Sequence, residues 1–105
     1  MNAAVSYMYS HYATKIKVED IAEMSHYTYS YFSSEFKEVF GMPLTKYLLS
    51  IRINKASTLL KATDMNITEI AACSGFSYTN YFARAFKKEM GLSPSEYRKQ
   101  ARGDM

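Results

Sequence analysis

The sequence contains few of the residues that cross-link or interrupt a chain. Its 105 residues include one cysteine, two prolines, four glycines and no tryptophan. A single cysteine cannot form an internal disulfide, and it fits a reducing, cytoplasmic setting. Scarce glycine and proline favour long regular elements. No run of about 18 apolar residues occurs, so the sequence predicts no membrane span, and residues 1–11 carry no basic and apolar secretory signal.

Apolar residues make up 48% of the sequence, which is enough for a packed core and argues against disorder. The length suits one domain and is too short for a large enzyme core. The net charge of +3 is unevenly distributed. Residues 1–52 hold five basic and five acidic side chains, whereas residues 53–105 hold eight basic and five acidic ones. The second half should therefore attract a polyanion more strongly than the first.

An internal repeat organises the chain. Residues 18–24 match residues 67–73 at a shift of 49, and residues 31–37 match residues 81–87 at a shift of 50. The second copy therefore has one extra residue near positions 77–80. Each copy predicts a short helix, a tight turn, a longer helix and a glycine that ends it.

Apolar spacing and capping residues predict where the helices begin and end. One apolar stripe is expected on the longer helix of the first copy: Phe32, Phe36, Val39 and Phe40. Thr28 and Ser77 are the expected N-caps of the longer helices, and Gly41 and Gly91 suit the left-handed position that ends them. Capping boxes are expected at Asn66 with Glu69 and at Ser93 with Glu96; the second opens a last helix that runs to about Arg102.

Residues 43–62 are predicted to form a long linking helix without a flexible linker. Its expected buried side consists of Leu44, Leu48, Ile51, Leu59 and Leu60. A further helix is expected near the N-terminus. The sequence thus predicts an all-α fold of about seven helices. Residues 1–42 and 63–105 would be two helical subdomains on either side of the linking helix.

The turns of the two copies suit a helix-turn-helix. Such a turn needs a small residue where the helices cross and a residue that tolerates positive φ. Ala71 and Gly75 meet both needs in the second copy. Ala22 and His26 take their places in the first, and histidine is one of the few other residues enriched at positive φ.

The second helix of such a motif presents its N-terminal part to base edges in the DNA major groove. With the phenylalanines facing inward, the first copy exposes Ser30, Ser34 and Lys37, with Ser33 at the edge, and the second exposes Asn80, Arg84 and Lys87, with Ala83 at the edge. Arginine is the commonest reader of guanine and asparagine of adenine. Lys37, Lys87 and Lys88 are expected to contact phosphates, which position the protein without specifying sequence.

These motifs together resemble the DNA-binding domain of the AraC/XylS family of bacterial transcription regulators. The resemblance covers nearly the whole chain and is strongest in residues 67–98, from Ile67 through Gly75-Phe76 and Tyr81 to Lys88, then Gly91, Ser93-Pro94 and Tyr97-Arg98. It implies a seven-helix, homeodomain-like tandem fold, in which two helix-turn-helix subdomains are joined by the linking helix. It also implies recognition helices in successive major grooves, and a role in activating or repressing promoters. By position it implies base contacts from Ser30, Ser33, Ser34, Thr79, Asn80, Tyr81 and Arg84. The chain departs from many members at three positions. Many members carry arginine in place of Ser34 and an apolar residue in place of Glu35, and serine or threonine often stands in place of Lys17.

The resemblance also bears on partners. Double-stranded DNA is the expected partner, RNA polymerase is a candidate partner, and a membrane is not expected. The isolated domain is expected to be monomeric, and a full-length protein could dimerise through a further domain, because most family members carry one.

Other classes of function fit less well. A helical protein-interaction module would explain the apolar stripes but not the polar faces repeated at matched places. No nucleophile with a base and no phosphate-cradling glycine loop is visible, so no enzyme activity and no cofactor is expected. His11, His26 and Cys73 lack zinc-ligand spacing, so no metal is expected.

The repeat also predicts the burial of several other side chains. Cys73 takes the place of Met24 in the repeat, which predicts a core residue. Four tyrosines at matched positions are expected mostly in the core: Tyr27, Tyr47, Tyr81 and Tyr97. Tyr29 and Tyr78 lie near helix starts, where they either pack as partly exposed rings or touch the DNA backbone or thymine methyl groups.

Overall fold

The computed structural model of the protein describes residues 2–103, so the predicted domain ends at residues 1 and 105 lie outside it. Within these residues the chain forms seven helices and no strand, which confirms the predicted fold class. The helices are α1 (Asn2–His11), α2 (Val18–Met24), α3 (Tyr29–Phe40), α4 (Leu44–Ala62), α5 (Ile67–Cys73), α6 (Thr79–Met90) and α7 (Pro94–Ala101). None of the helices in this part of the chain is long and apolar enough to cross a membrane.

The helices form two compact units. Unit 1 lies within Met1–Ile51 and unit 2 within Arg52–Met105. Helix α2 packs against α3 in unit 1, and α5 packs against α6 in unit 2. Helix α4 contributes residues to both units because the division falls inside it. The finer division at residues 42 and 62 stays a prediction.

Two capping boxes form as predicted. Asn66 Oδ1 accepts a hydrogen bond from the Glu69 amide at 2.8 Å, and Glu69 Oε1 accepts one from the Asn66 amide at 3.3 Å. Ser93 and Glu96 make the same reciprocal pair at 3.2 and 3.0 Å. Each pair provides partners for amides at a helix start that have no intrahelical acceptor.

The predicted cap at Ser77 is wrong. Helix α6 begins at Thr79, and its N-cap is Tyr78, whose side chain makes no capping hydrogen bond. The extra residue of the second copy explains the difference. At the shift of 50 the cap of the first copy, Thr28, corresponds to Tyr78, so Ser77 lies one residue outside the helix.

The core of unit 1 is built around two phenylalanines of α3. The buried apolar residues are Ala4, Met8, Ile21, Ala22, Phe32, Phe36, Leu44, Leu48 and Ile51. Tyr47 of α4 lies 5.5 Å from the Phe36 ring and 5.4 Å from the Phe40 ring. This contact covers the last turn of α3 on the Phe40 side. Val39 is therefore left 54% exposed, and its predicted place in the apolar stripe is wrong.

The core of unit 2 repeats the plan. The buried apolar residues are Ile53, Ala56, Leu60, Ile70, Ala71, Phe76, Phe82, Pro94, Ala85 and Phe86. The prediction of one buried side on α4 is wrong, because its buried residues form two sets. Leu44, Leu48 and Ile51 pack in unit 1, and the set from Ile53 onward packs in unit 2; Leu59 is only half-buried.

Two arginines attach α7 to the end of α4, a role that the repeat did not reveal. The Arg98 guanidinium donates to the Leu60 carbonyl at 3.1 Å and to the Thr63 carbonyl at 3.2 Å. Arg102 donates to the Thr63 carbonyl and pairs with the Asp64 carboxylate at 3.0 Å. These bonds satisfy carbonyls that the end of α4 leaves without an intrahelical donor.

Three side chains predicted in the core lie at the surface instead. Cys73 is exposed because the inward face of α5 consists of Ile70, Ala71 and the following Ser74. Tyr27 and Tyr81 are 43% and 50% exposed. A matched position in the repeat therefore gives a residue the same place relative to the helices without ensuring that its side chain is buried.

Candidate nucleic-acid interface

A tight turn positions α3 against α2 in unit 1. The Tyr27 amide donates to the Ala22 carbonyl at 3.0 Å, and the Ala22 side chain is buried where the helices meet. His26 adopts a φ of 63°, as predicted for this position. A side chain in this left-handed region costs about 1–2 kcal/mol relative to the right-handed one.

The turn between α5 and α6 has the same construction. The Phe76 amide donates to the Ala71 carbonyl at 2.9 Å, and Gly75 adopts a φ of 95°. Glycine carries no Cβ and adopts this conformation without the strain expected at His26. The two matched turns confirm the predicted helix-turn-helix in both units.

Helix α3 exposes a small polar face. Thr28 caps it by accepting from the Tyr31 amide at 3.3 Å, and Phe32 and Phe36 turn the opposite side into the core. Ser30, Ser34 and Lys37 are exposed, with Ser33 half-buried at the edge. The predicted exposure is confirmed, while the DNA contacts of these residues stay predictions.

Helix α6 exposes a face with more hydrogen-bonding groups. Asn80, Arg84, Lys87 and Lys88 are exposed, Tyr81 is 50% exposed, and Thr79 is half-buried. Asn80 and Arg84 are four residues apart and so lie on one side of the helix, one turn from each other. An amide and a guanidinium are thus presented together on the N-terminal half of the helix.

The sequence matches the helix-turn-helix domain family over residues 21–100, which includes both turns and both longer helices. The chain belongs to the AraC-type helix-turn-helix family. This confirms the resemblance predicted from the motifs. AraC-type domains bind DNA and regulate transcription, so the family is not a class of enzymes.

Known relatives agree with this assignment. The uncharacterised HTH-type transcriptional regulator YijO of Escherichia coli (strain K12) is 36% identical over 94 residues, which make up 90% of this chain and 33% of that protein. The C-terminal domain of AraT, a response regulator from Geobacillus stearothermophilus, has a TM-score of 0.90 and 35% identity, covering 94% of this chain and 83% of the other. A transcriptional regulator of the AraC-type DNA-binding class from Chromobacterium violaceum has a TM-score of 0.86 and 30% identity, with coverages of 93% and 88%. The chain spans about a third of the length of the curated relatives it matches.

The two recognition helices of this AraC-type domain differ in charge. Helix α3 carries one lysine, Lys37, and two glutamates, Glu35 and Glu38. Helix α6 carries three basic residues and a single glutamate, Glu89. Because DNA is a dense polyanion, α6 has the stronger electrostatic attraction to it.

Unit 2 of the AraC-type domain also contains a half-buried arginine, Arg52. Burial lowers the pKa of Arg52, and the nearby Tyr81 hydroxyl opposes this shift. Arg52 begins the part of α4 that belongs to unit 2, and it lies near Tyr81 of α6 without being part of that helix. Its proximity to Tyr81 was not predicted, since only the fold brings the two residues together.

Proposed function

We propose that α3 and α6 enter successive major grooves on one face of duplex DNA, so that one chain reads an asymmetric, two-part site. The matched turns, with exposed polar faces at matched places on α3 and α6, carry this proposal. The repeat runs head to tail and has no two-fold symmetry, which favours an asymmetric site over a palindrome.

Within this arrangement the contacts divide into two kinds. Base contacts come from the exposed side and edge of each recognition helix: Ser30, Ser33, Ser34, Thr79, Asn80, Tyr81 and Arg84. Phosphate contacts come from the lysines further along each helix: Lys37, Lys87 and Lys88. Unit 2 supplies the stronger base reading because it alone presents an arginine and an asparagine on this face.

The wider role rests on the family. We place the chain in the bacterial cytoplasm as a DNA-binding domain that activates or represses promoters, with RNA polymerase as a further partner and no catalytic step of its own. The domain binds DNA as a monomer, and a dimer would require a further domain such as most family members carry.

Footprinting tests the arrangement. Duplexes enriched by the chain from a random pool should show two protected segments about one helical turn, or 34 Å, apart. Titration should give one chain per duplex. A palindromic site occupied only by two chains would contradict the single-chain, two-part arrangement.

A further inference from the structure

An aromatic pair recurs at the start of both recognition helices. In unit 1 the rings of Tyr27 and Tyr31 lie 5.0 Å apart at 46°. In unit 2 the rings of Phe76 and Tyr81 lie 5.9 Å apart at 47°. The members correspond through the repeat, at shifts of 49 and 50. In each unit, an aromatic residue of the turn thus contacts a tyrosine that is the third residue of the recognition helix.

The tyrosine of each pair is held in place and still accessible. Tyr31 is 54% exposed and Tyr81 is 50% exposed, although each ring contacts its partner. A ring that is partly ordered before binding loses less side-chain entropy when a ligand covers it. The pair therefore resembles a prepared contact surface more than an incidental exposed side chain.

The surroundings of Tyr31 favour an apolar ligand. Its polar neighbours on α3 are short serine hydroxyls, and the tyrosine ring extends much farther from the helix than Ser30 or Ser34. Glu35 follows Tyr31 by one helical turn, and its carboxylate repels phosphate. In the major groove the thymine 5-methyl is the apolar group that a base pair presents.

We propose that Tyr31, backed by Tyr27, reads thymine 5-methyl groups in the major groove beneath unit 1. This inference rests on the proposed function, because it requires α3 to enter the groove. It gives unit 1 a base preference that its serines alone do not provide. Tyr27 acts here as a positioning residue, since it holds the Tyr31 ring from the turn.

Replacement of single thymines tests the proposal on a duplex enriched by the native chain. The unit 1 half-site is the half whose preference does not change in selections with Arg84→Ala. Each thymine of this half is replaced in turn by 2′-deoxyuridine, which removes only the 5-methyl. Affinity should fall about fourfold at one or two positions, the equivalent of one buried methyl group.

Variants connect that loss to the tyrosine. Tyr31→Ala should bind the thymine and deoxyuridine duplexes equally, whereas Tyr31→Phe should keep the fourfold difference because the ring remains. Tyr9→Ala is the matched control, since Tyr9 is a 57% exposed tyrosine of unit 1 that lies on α1. It should also keep the difference.

The outcomes separate this inference from the proposed function. A two-part footprint with no deoxyuridine effect in the native chain would overturn the thymine contact alone. An effect that persists unchanged in Tyr31→Ala would overturn it as well. Failure of the native chain to enrich any duplex, or a single undivided footprint, would instead contradict the proposed function.

Discussion

Removal of the Arg84 side chain should relax the base preference of the half-site beneath unit 2. Arg84 is exposed on α6, four residues after Asn80, and Phe82 and Phe86 anchor the helix on its opposite side. Because the side chain is exposed, Arg84→Ala should change the free energy of unfolding by no more than about 0.5 kcal/mol. Any change in DNA binding then reports the interface rather than the fold.

The size of the effect follows from the chemistry of the contact. A bidentate arginine–guanine pair discriminates against the wrong base by about 1–3 kcal/mol, which is about 5- to 150-fold in affinity. The equivalent position on α3 is Ser34, whose single hydroxyl offers no bidentate pair. Arg84→Ala should therefore flatten preference at one or two base pairs, and Ser34→Ala should leave the selected sequences nearly unchanged.

The assay is selection from a random duplex pool with the native chain and both variants. Arg84→Lys serves as the charge-matched control, because it keeps the positive charge and loses the planar donor pair. It should relax base preference as Arg84→Ala does, with less loss of overall affinity. A sharper half-site under unit 1, or a larger effect from Ser34→Ala, would refute the ranking of the two units.

Three further changes test the charge, the core and a cap. Lys87→Ala should reduce the log–log salt slope of DNA binding by about 0.9, the loss of one phosphate contact, while Lys87→Arg keeps the slope; an unchanged slope in the alanine variant would count against this contact. Phe86→Ala, which empties a fully buried site beside Tyr97, should lower the free energy of unfolding by about 3–5 kcal/mol in a denaturant titration, and a loss below about 1 kcal/mol would contradict the packing. Hydrogen bonds from Ser93 lower the pKa of Glu96, so its contribution to stability is complete above the ordinary glutamate pKa and is lost as pH falls through the lowered value. As pH falls through this acid range, the Tm should therefore decrease less steeply for Glu96→Gln than for the native chain. Equal decreases would show that the Glu96 carboxylate does not stabilise the cap.

Much of the fold could be predicted from the sequence because its determinants are local. A capping box needs only residues three positions apart, as in Asn66 with Glu69, and a left-handed helix end needs only a glycine such as Gly41. The outward faces of the recognition helices could be predicted equally well, because the inward phenylalanines determine which side chains face outward. The same holds for the candidate site, since helix geometry exposes Arg84 when Phe82 and Phe86 are buried.

Burial at the margins of the cores was decided by tertiary packing. Val39 and Cys73 continue apolar patterns in the sequence, yet no described neighbour covers them enough to bury them. Helix α4 serves two cores with different sets of residues, and a single periodic stripe could not reveal that division. Whether such an apolar side chain is buried depends on which element lies opposite it, and that is a property of the folded chain.

The sequence alone determined the repeat, and it determined the capping boxes, the helix-ending glycines, the turns and the polar faces, because each of these local features depends on residues within a few positions of one another. Only the tertiary structure decided that Arg98 bonds to carbonyls of Leu60 and Thr63, and that Arg52 lies near Tyr81. The residues in these pairs lie about 30 or more positions apart in the chain. Contacts at such separations form only after the helices pack, so no local pattern encodes them.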